Sequence, residues 1–296
     1  MAVDCDIATL NRLTAPLFAP MTFPAYRRRA LLAGEPGGPV ACGATEDGRP
    51  IGLALLEHVV GLGPMLRSLF VQPEQRGRGI GSALLAAAEA AALANEWDEL
   101  RTVYTAGGAG IDAFERVLAR SGWDPPARRT WVMRATPVGL TEAFARVRLR
   151  PLDPATEIFP WRDLSDAEAR ELVRRQRETG WPNIEVFPFH YGPHFEPETS
   201  VGVRHGGEVV GWVVNHRVDA TTLRFTCSYL REERQGTARL VVAYRHVVSA
   251  MPAAGFREVV WTVPVEFPRM VHFAEKRIGP FLTSKRETRG SRKQLA

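Results

Sequence analysis

The sequence predicts an α/β protein of the α+β kind, made of two mixed-sheet sandwich domains in tandem. Three observations predict it. In the first half, strand-like runs lead into a strand–helix–strand–helix–strand series. The second half returns to the same order in a degraded form. Between Gln72 and Ala92, a stretch with glycine at every second position gives way at once to alanines and leucines, which suits a loop placed at the start of a helix. The length of 296 residues is enough for about two domains. With 45% apolar and 24% charged residues, the chain has material for substantial cores.

Taken in order, "ATLNRLTAPLFAPMTFPAYRRRALLAG" reads as one or two helices interrupted by prolines. "GPVACGATEDGRPIGLALLEHVV" reads as two strands joined by a turn at Glu46-Asp47-Gly48-Arg49. A third strand, Met65 to Val71, runs into the glycine loop, and the helix follows to Asn95. "LRTVYT" is a further strand, starting near Leu100. "GIDAFERVLARSGW" has helical spacing through Phe114, Val117 and Leu118, with Gly122 as its stop. "RRTWVMRAT" closes the first domain, expected over residues 1–137.

After a connection around residues 137–150, the second domain is expected over 147–285. Its helix "SDAEARELVRRQRETG" precedes a loop rich in Pro, Phe, His and Tyr, and "SVGVRHGGEVVGWVVNHRV" is another strand–turn–strand. "TLRFTCSYL" answers "MLRSLFV", and "ARLVVAYRHVVSAM" answers the alanine-rich helix. The C-terminal "SKRETRGSRKQLA" reads as a frayed basic tail, residues 286–296.

Composition narrows the class of function. No apolar run reaches the about 18 residues of a membrane span, and the N-terminus lacks the basic and apolar regions of a signal peptide. Three widely spaced cysteines suggest neither a disulfide framework nor a zinc site. These features predict a soluble, reduced, cytoplasmic protein, monomeric or homodimeric, with no membrane or nucleic-acid partner. The net charge of +5 comes with dispersed arginines and no nucleic-acid motif, and it suits a polyphosphate ligand.

A loop at a helix start gathers unpaired backbone N–H groups and the positive end of the helix dipole, a ready site for phosphate oxygens. On spacing alone, a phosphate cradle and a tight strand-to-helix turn both account for Gly77, Gly79 and Gly81. A P-loop would need Lys-Ser or Lys-Thr after the glycines, which is absent. A dinucleotide fingerprint would need a third glycine where Ser82 stands, and an acid ending the next strand, whereas Glu96 and Asp98 precede it.

"LFVQPEQRGRGIGSALL" resembles the acetyl-CoA-binding motif of the GCN5-related N-acetyltransferase (GNAT) superfamily, with Arg76-Gly77-Arg78-Gly79-Ile80-Gly81 matching its [RQ]-x-x-G-x-[GA] segment after a strand and before a long helix. The motif covers about residues 65–90, and the ordered elements extend it to about 40–136. The resemblance implies that backbone N–H groups from Arg76, Gly77, Arg78, Gly79, Ile80, Gly81 and Ser82 hold the pyrophosphate of acetyl-CoA, with charge from Arg76 and Arg78. It also implies a strand around Phe70 and Val71 that splays open, the Val71 N–H polarising the thioester carbonyl.

An attacking amine must be neutral, so a base is expected, and Glu57 is the nearest carboxylate, beside His58. The family's usual tyrosine acid, four residues before the glycine, is Leu118 here, leaving Tyr104 or Ser121 as substitutes. The asparagine that often follows the strand is replaced by "AGGAG".

The second half has one glycine, Gly236, at its counterpart loop, and Glu232 and Glu233 place charge that opposes phosphate binding. Cys227 reads as a small buried hydrophobe. His190, His194 and Glu196 follow no metal-site spacing and read as aromatic loop packing, so no metal is expected. The resemblance thus implies an acyl-CoA-dependent N-acyltransferase acting on a primary amine of a small molecule. A protein lysine or N-terminal acetyltransferase and a non-catalytic acyl-CoA sensor are the alternatives.

Overall fold

The computed structural model describes residues 5–59, 61–149, 152–231 and 239–295. Residues cluster into two compact units: Met1–Arg129 with Glu287–Ala296, and Thr130–Arg286. The chain therefore leaves the first unit at Arg129 and returns to it at Glu287. This differs from the division at 137 and 147 read from the sequence.

The first unit begins with β1 (Asp6–Thr9), β2 (Val40–Glu46), β3 (Arg49–Val59), β4 (Gly63–Val71) and β5 (Glu99–Thr105). Neighbouring strands β1 to β4 pair antiparallel, while β4 and β5 run parallel. Two one-turn helices, α1 (Ala15–Phe18) and α2 (Arg27–Ala30), stand where the proline-interrupted segment was expected. They cover one face of the sheet, packing Ala15, Phe18 and Ala30 with Leu53 and Leu55.

The long helix α3 (Ile80–Ala94) lies on the other face. It buries Ile80, Leu84, Leu85, Ala88 and Ala92 with Ala54 and Leu56, the alternate residues of β3. Full burial of each large aliphatic side chain contributes about 1.5–3 kcal/mol. Its approach depends on Gly52, where a Cβ would lie 2.7 Å from Leu84 Cδ1 and 3.0 Å from the Phe70 carbonyl oxygen. Helix α4 (Ile111–Arg120) adds Leu118 to the same core.

The expected frayed tail is instead a strand, Leu282–Gln294. It pairs antiparallel with β5, from Thr288 opposite Thr105 to Gln294 opposite Glu99. Several of its basic residues are answered by acids of the first unit. Lys293 Nζ lies 2.6 Å from Glu89 Oε2, and Arg292 Nε lies 2.9 Å from Asp124 Oδ2. The Ser291 hydroxyl donates to the Asp124 carbonyl at 2.6 Å.

The second unit takes β6 (Ala127–Ala135) from Thr130 onward. It then adds β7 (Thr156–Pro160), β8 (Val201–His205), β9 (Glu208–Arg217), β10 (Thr222–Leu230) and β11 (Glu258–Pro264). Their order is β6-β11-β10-β9-β8-β7. Only β10 and β11 are parallel neighbours; the other pairs are antiparallel. The segment read as a connection contains helix α5 (Pro137–Ala145), which Thr136 caps by accepting the Gly139 N–H. Ser165 and Glu168 form a capping box at the start of α6 (Asp166–Thr179). Helix α7 (Arg239–Ala250) supplies Val241, Ala243, Val247 and Val248 to the core.

Each unit thus has antiparallel strands, one parallel pair and a closing antiparallel strand. A bulge also recurs. Ser68 opposes Leu55 while Leu66 opposes Leu56, leaving Arg67 as the extra residue of β4. Cys227 opposes Val214 while Phe225 opposes Asn215, leaving Thr226 as the extra residue of β10. By this landmark Arg67 answers Thr226, two positions away from the match of "LR" with "LR" in the text.

Removing Glu287–Ala296 will strip β5 of a partner and leave an open sheet edge. The first thermal transition should fall by more than about 5 °C. A scanning calorimetry trace that matches the full chain would contradict this role.

Candidate functional site

The glycine loop is held in place before α3 begins. The Gln72 N–H donates to the Ile51 carbonyl at 2.9 Å, and its side-chain amide donates to the Pro50 carbonyl at 3.0 Å. Gln75 Nε2 reaches Glu46 Oε2 at 2.9 Å, which ties the loop to the β2–β3 turn. Arg76 folds back, its Nε donating to the Val71 carbonyl at 3.0 Å. Arg78 Nη2 pairs with Glu46 Oε1 at 2.6 Å, and this bond holds the Glu46 carboxyl below its usual range. Gln72, Gln75 and Glu46 were not among the residues read from the sequence. Only the turn position of Glu46 hinted at them.

Gly77 and Gly79 take left-handed φ values of 81° and 84°, where a side chain is strained. Gly79 is the N-cap of α3, and no side chain caps the helix. The first main-chain bond of the helix runs from the Ala83 N–H to the Gly79 carbonyl, 3.1 Å. The N–H groups of Ile80, Gly81 and Ser82 therefore lie in the turn that has no intrahelical acceptor. No acidic residue occupies that first turn. The Ile80 side chain is buried in the core, so only its backbone faces the loop's chemistry.

Upstream, β4 meets β5 at a single rung, Met65 opposite Arg101. The Thr102 hydroxyl adds a bond to the Leu66 carbonyl at 3.0 Å. Beyond this, among the described residues, no rung joins the two strands toward Val71. The bulged Arg67 stands where they part. Phe70 lies opposite Leu53 and Val71 opposite Gly52 on β3, so the outer side of β4 stays paired while its inner side opens.

Glu57 is buried, with ion pairs to Arg29 Nε at 2.8 Å and Arg67 Nε at 3.4 Å. It continues the alternation of Leu53 and Leu55, on the face of the sheet opposite α3. His58 sits beside the Trp97 ring at 6.3 Å. The Tyr104 hydroxyl donates to Glu115 Oε1 at 2.8 Å, and Arg289 Nη1 donates to the same carboxylate at 2.9 and 3.2 Å. Burial, then the Glu115 carboxylate, push the Tyr104 phenol well above its ordinary range. Its proton is committed to Glu115. Leu118 is 1% exposed and belongs to the core. Ser121 is the C-cap of α4.

In the second unit, β10 and β11 pair from Thr222 to Arg224 and then stop, again two residues before the bulge. Here the Tyr244 hydroxyl of α7 donates to Ser228 Oγ at 2.6 Å, and its ring packs against Phe144 and Phe225. The readings placed on Glu232, Glu233 and Gly236 lie outside the described residues. His190 stacks edge-on with Tyr191, and Glu196 pairs with Arg217 Nε at 3.0 Å. Phe187, Phe189, Trp161 and Trp212 form an aromatic cluster. Among the described residues, no group of three or more His, Cys, Asp or Glu could hold a metal ion, and no helix is long and apolar enough to cross a membrane.

Residues 7–117 match the model of the acetyltransferase (GNAT) family, over the segment that contains the splayed strand and the glycine loop. That segment, little more than a third of the chain, is what resembles the GNAT family. A tandem GNAT protein from the clavulanic acid biosynthesis pathway is similar in structure, with a TM-score of 0.63 at 14% identity over 99% of each chain. A GCN5-related N-acetyltransferase from Sphaerobacter thermophilus gives 0.60 at 16% identity, covering 100% of this chain and 97% of its own. A glucosamine N-acetyltransferase region of a fungal multi-domain β-N-acetylglucosaminidase gives 0.60 at 13% identity, over 99% of this chain and 38% of that one. At such identities the likeness is one of fold, here the tandem GNAT fold. No curated protein matches the chain in sequence.

Two outcomes follow from the local geometry of the GNAT unit. Gly79→Ala should destabilise it by about 1–2 kcal/mol through its left-handed backbone. Gly81→Ala should be neutral or stabilising by up to about 1 kcal/mol, since its Cβ would meet Val117 and Val71 at an ordinary 3.8 Å. Melting curves that shift both variants alike would refute the distinction. Burial pushes the Cys227 thiol up to about 12 and raises that of Cys42. In a thiol titration at pH 8, only Cys5 should react until the protein is denatured, when all three respond.

Proposed function

We propose that the protein is an acyl-CoA-dependent N-acyltransferase that moves an acetyl group from acetyl-CoA to a primary amine of a small molecule. The observation that carries this reading is the uncapped, acid-free N-terminus of α3, reached through left-handed glycines directly after a strand that parts from its parallel neighbour. Backbone N–H groups from Gly77 to Ser82 receive the pyrophosphate, whereas the Arg76 N–H, counted with them from the sequence, is already given to the Pro73 carbonyl at 3.3 Å. Arg78 neutralises Glu46 beside the same loop, so that this carboxylate does not oppose the phosphates. The opened inner side of β4, through Phe70 and Val71, pairs with the extended pantetheine arm, and the Val71 N–H polarises the thioester carbonyl.

The amine reaches the thioester from the sheet face that carries Glu57, which takes its proton as the C–N bond forms and the C–S bond breaks. The thiolate leaves without a dedicated acid, because the Tyr104 proton is tied to Glu115. Acetyl-CoA binds in the first unit alone. In the second, the Tyr244 hydroxyl bonds Ser228 on the strand that answers β4, and its ring packs against Phe144 and Phe225.

A second reading, an acyl-CoA sensor without turnover, is favoured by one observation. Both candidate proton carriers, Glu57 and Tyr104, are already engaged by other side chains.

Calorimetry with acetyl-CoA, run beside a CoA-thiol release assay over a panel of amines, tests both. The enzyme reading expects binding and amine-dependent thiol release. It also expects Gly79→Glu to lose binding by more than about a hundredfold, as added charge and bulk meet the N–H groups. Binding without release from any amine would favour the sensor. Absence of binding would overturn the main reading.

A further inference from the structure

On the face of the first unit's sheet opposite α3, one carboxylate and two guanidinium groups gather at the point where β4 and β5 part. Arg67 is the bulged residue itself, and the bulge sets its side chain on the same face as Glu57. Its guanidinium lies 4.5 Å from the centre of the Tyr26 ring. Tyr26 belongs to the turn that leads into α2, which brings Arg29 to the other oxygen of Glu57.

The charges do not balance. Two guanidinium groups share a single carboxylate, and Arg67 is poorly served by it. Arg67 Nε is buried without a hydrogen-bond partner, and its approach to Glu57 at 3.4 Å does not align for one. Among the described residues, Arg67 donates no hydrogen bond, although a buried guanidinium donor left unmet is costly. Its side chain keeps 25% of its surface exposed, through atoms other than that buried Nε, and that of Arg29 keeps 60%, so both side chains remain open to a ligand.

We infer that Arg67, with Arg29, is the specificity element of the acceptor site, and that the acceptor carries a carboxylate close to its amine, as an α-amino acid does. This rests on the N-acyltransferase reading above. The acceptor's carboxylate accepts from the guanidinium fork, a planar match that favours carboxylate. Its amine then falls to Glu57, the anion that lies between the two cations. A zwitterion with adjacent charges meets all three groups at once. An amine without a carboxylate leaves the second positive charge unanswered.

The test uses the full chain, acetyl-CoA, and the standard α-amino acids set beside the amines formed by removing their carboxylates. Calorimetric binding of acetyl-CoA is measured first, so that failure of the parent reading shows as absence of binding. Given binding, the acid of a pair should exceed its decarboxylated partner in kcat/KM by at least about tenfold, the worth of a charge-assisted bond. Arg67→Ala should erase that preference mainly by raising KM for the acid, with acetyl-CoA affinity unchanged. Arg67→Lys should restore part of it, and Arg29→Ala provides a second removal should Arg67→Ala fail to fold. Equal or better use of the decarboxylated amines, preference for a phosphorylated amine, or binding of acetyl-CoA with no amino acid acetylated would each overturn the inference.

Discussion

Strands β4 and β5 share one rung and then separate, and most of the first unit is arranged around that separation. A parallel pair that opens leaves main-chain N–H and C=O groups without partners, a costly state unless solvent or a ligand meets them. The opening is sustained from outside. β4 is held on its far side by β3 from Val59 opposite Gly63 to Gly52 opposite Val71, and β5 is held on its far side by the C-terminal strand. With both outer edges secured, the inner edges diverge without fraying. The bulge at Arg67 marks the departure, and Gly52 lets α3 settle close above it.

The second unit repeats this device. Its parallel rungs also end two residues before a bulge, so the backbone plan is shared. What differs is the filling. Tyr244 reaches from α7 to Ser228 and stacks on Phe144, whereas α3 presents small residues over much of its length. The two units thus share a backbone plan and differ in the side chains packed against it.

The features legible in the sequence were the local ones. A hairpin turn, a glycine loop and an alanine-rich helix are each specified by neighbouring residues, and their positions were read within a few residues. The C-terminal strand was misread because its fitness as a strand is not local: Arg289 is answered by Glu115, 174 positions away, and Lys293 by Glu89. Read alone, so dense a run of positive charge looks solvated. Glu57 was read as a carboxylate at the end of the strand beside β4, but Arg29 and Arg67 could not be assigned to it, since a bulge and a one-turn helix bring them there. Leu118 was legible as a departure from a motif, and its burial shows that the departure is a core residue.

The positive balance of the chain takes on a definite meaning once these pairings are known. Many of its arginines are spent on partners: Arg78 on Glu46, Arg204 on Glu168, Arg231 on Glu208, Arg289 on Glu115. Each of these pairs neutralises a charge that the composition alone counts as positive. Among the described residues, two features with an excess of positive charge or dipole flank β4. One is the uncapped N-terminus of α3, where it comes from peptide dipoles. The other is the Arg29–Glu57–Arg67 group, where two cations outnumber one anion. On the function proposed above, the dipole end would meet the phosphates of acetyl-CoA and the guanidinium pair the carboxylate of the acceptor, one on each side of the strand where it leaves its neighbour.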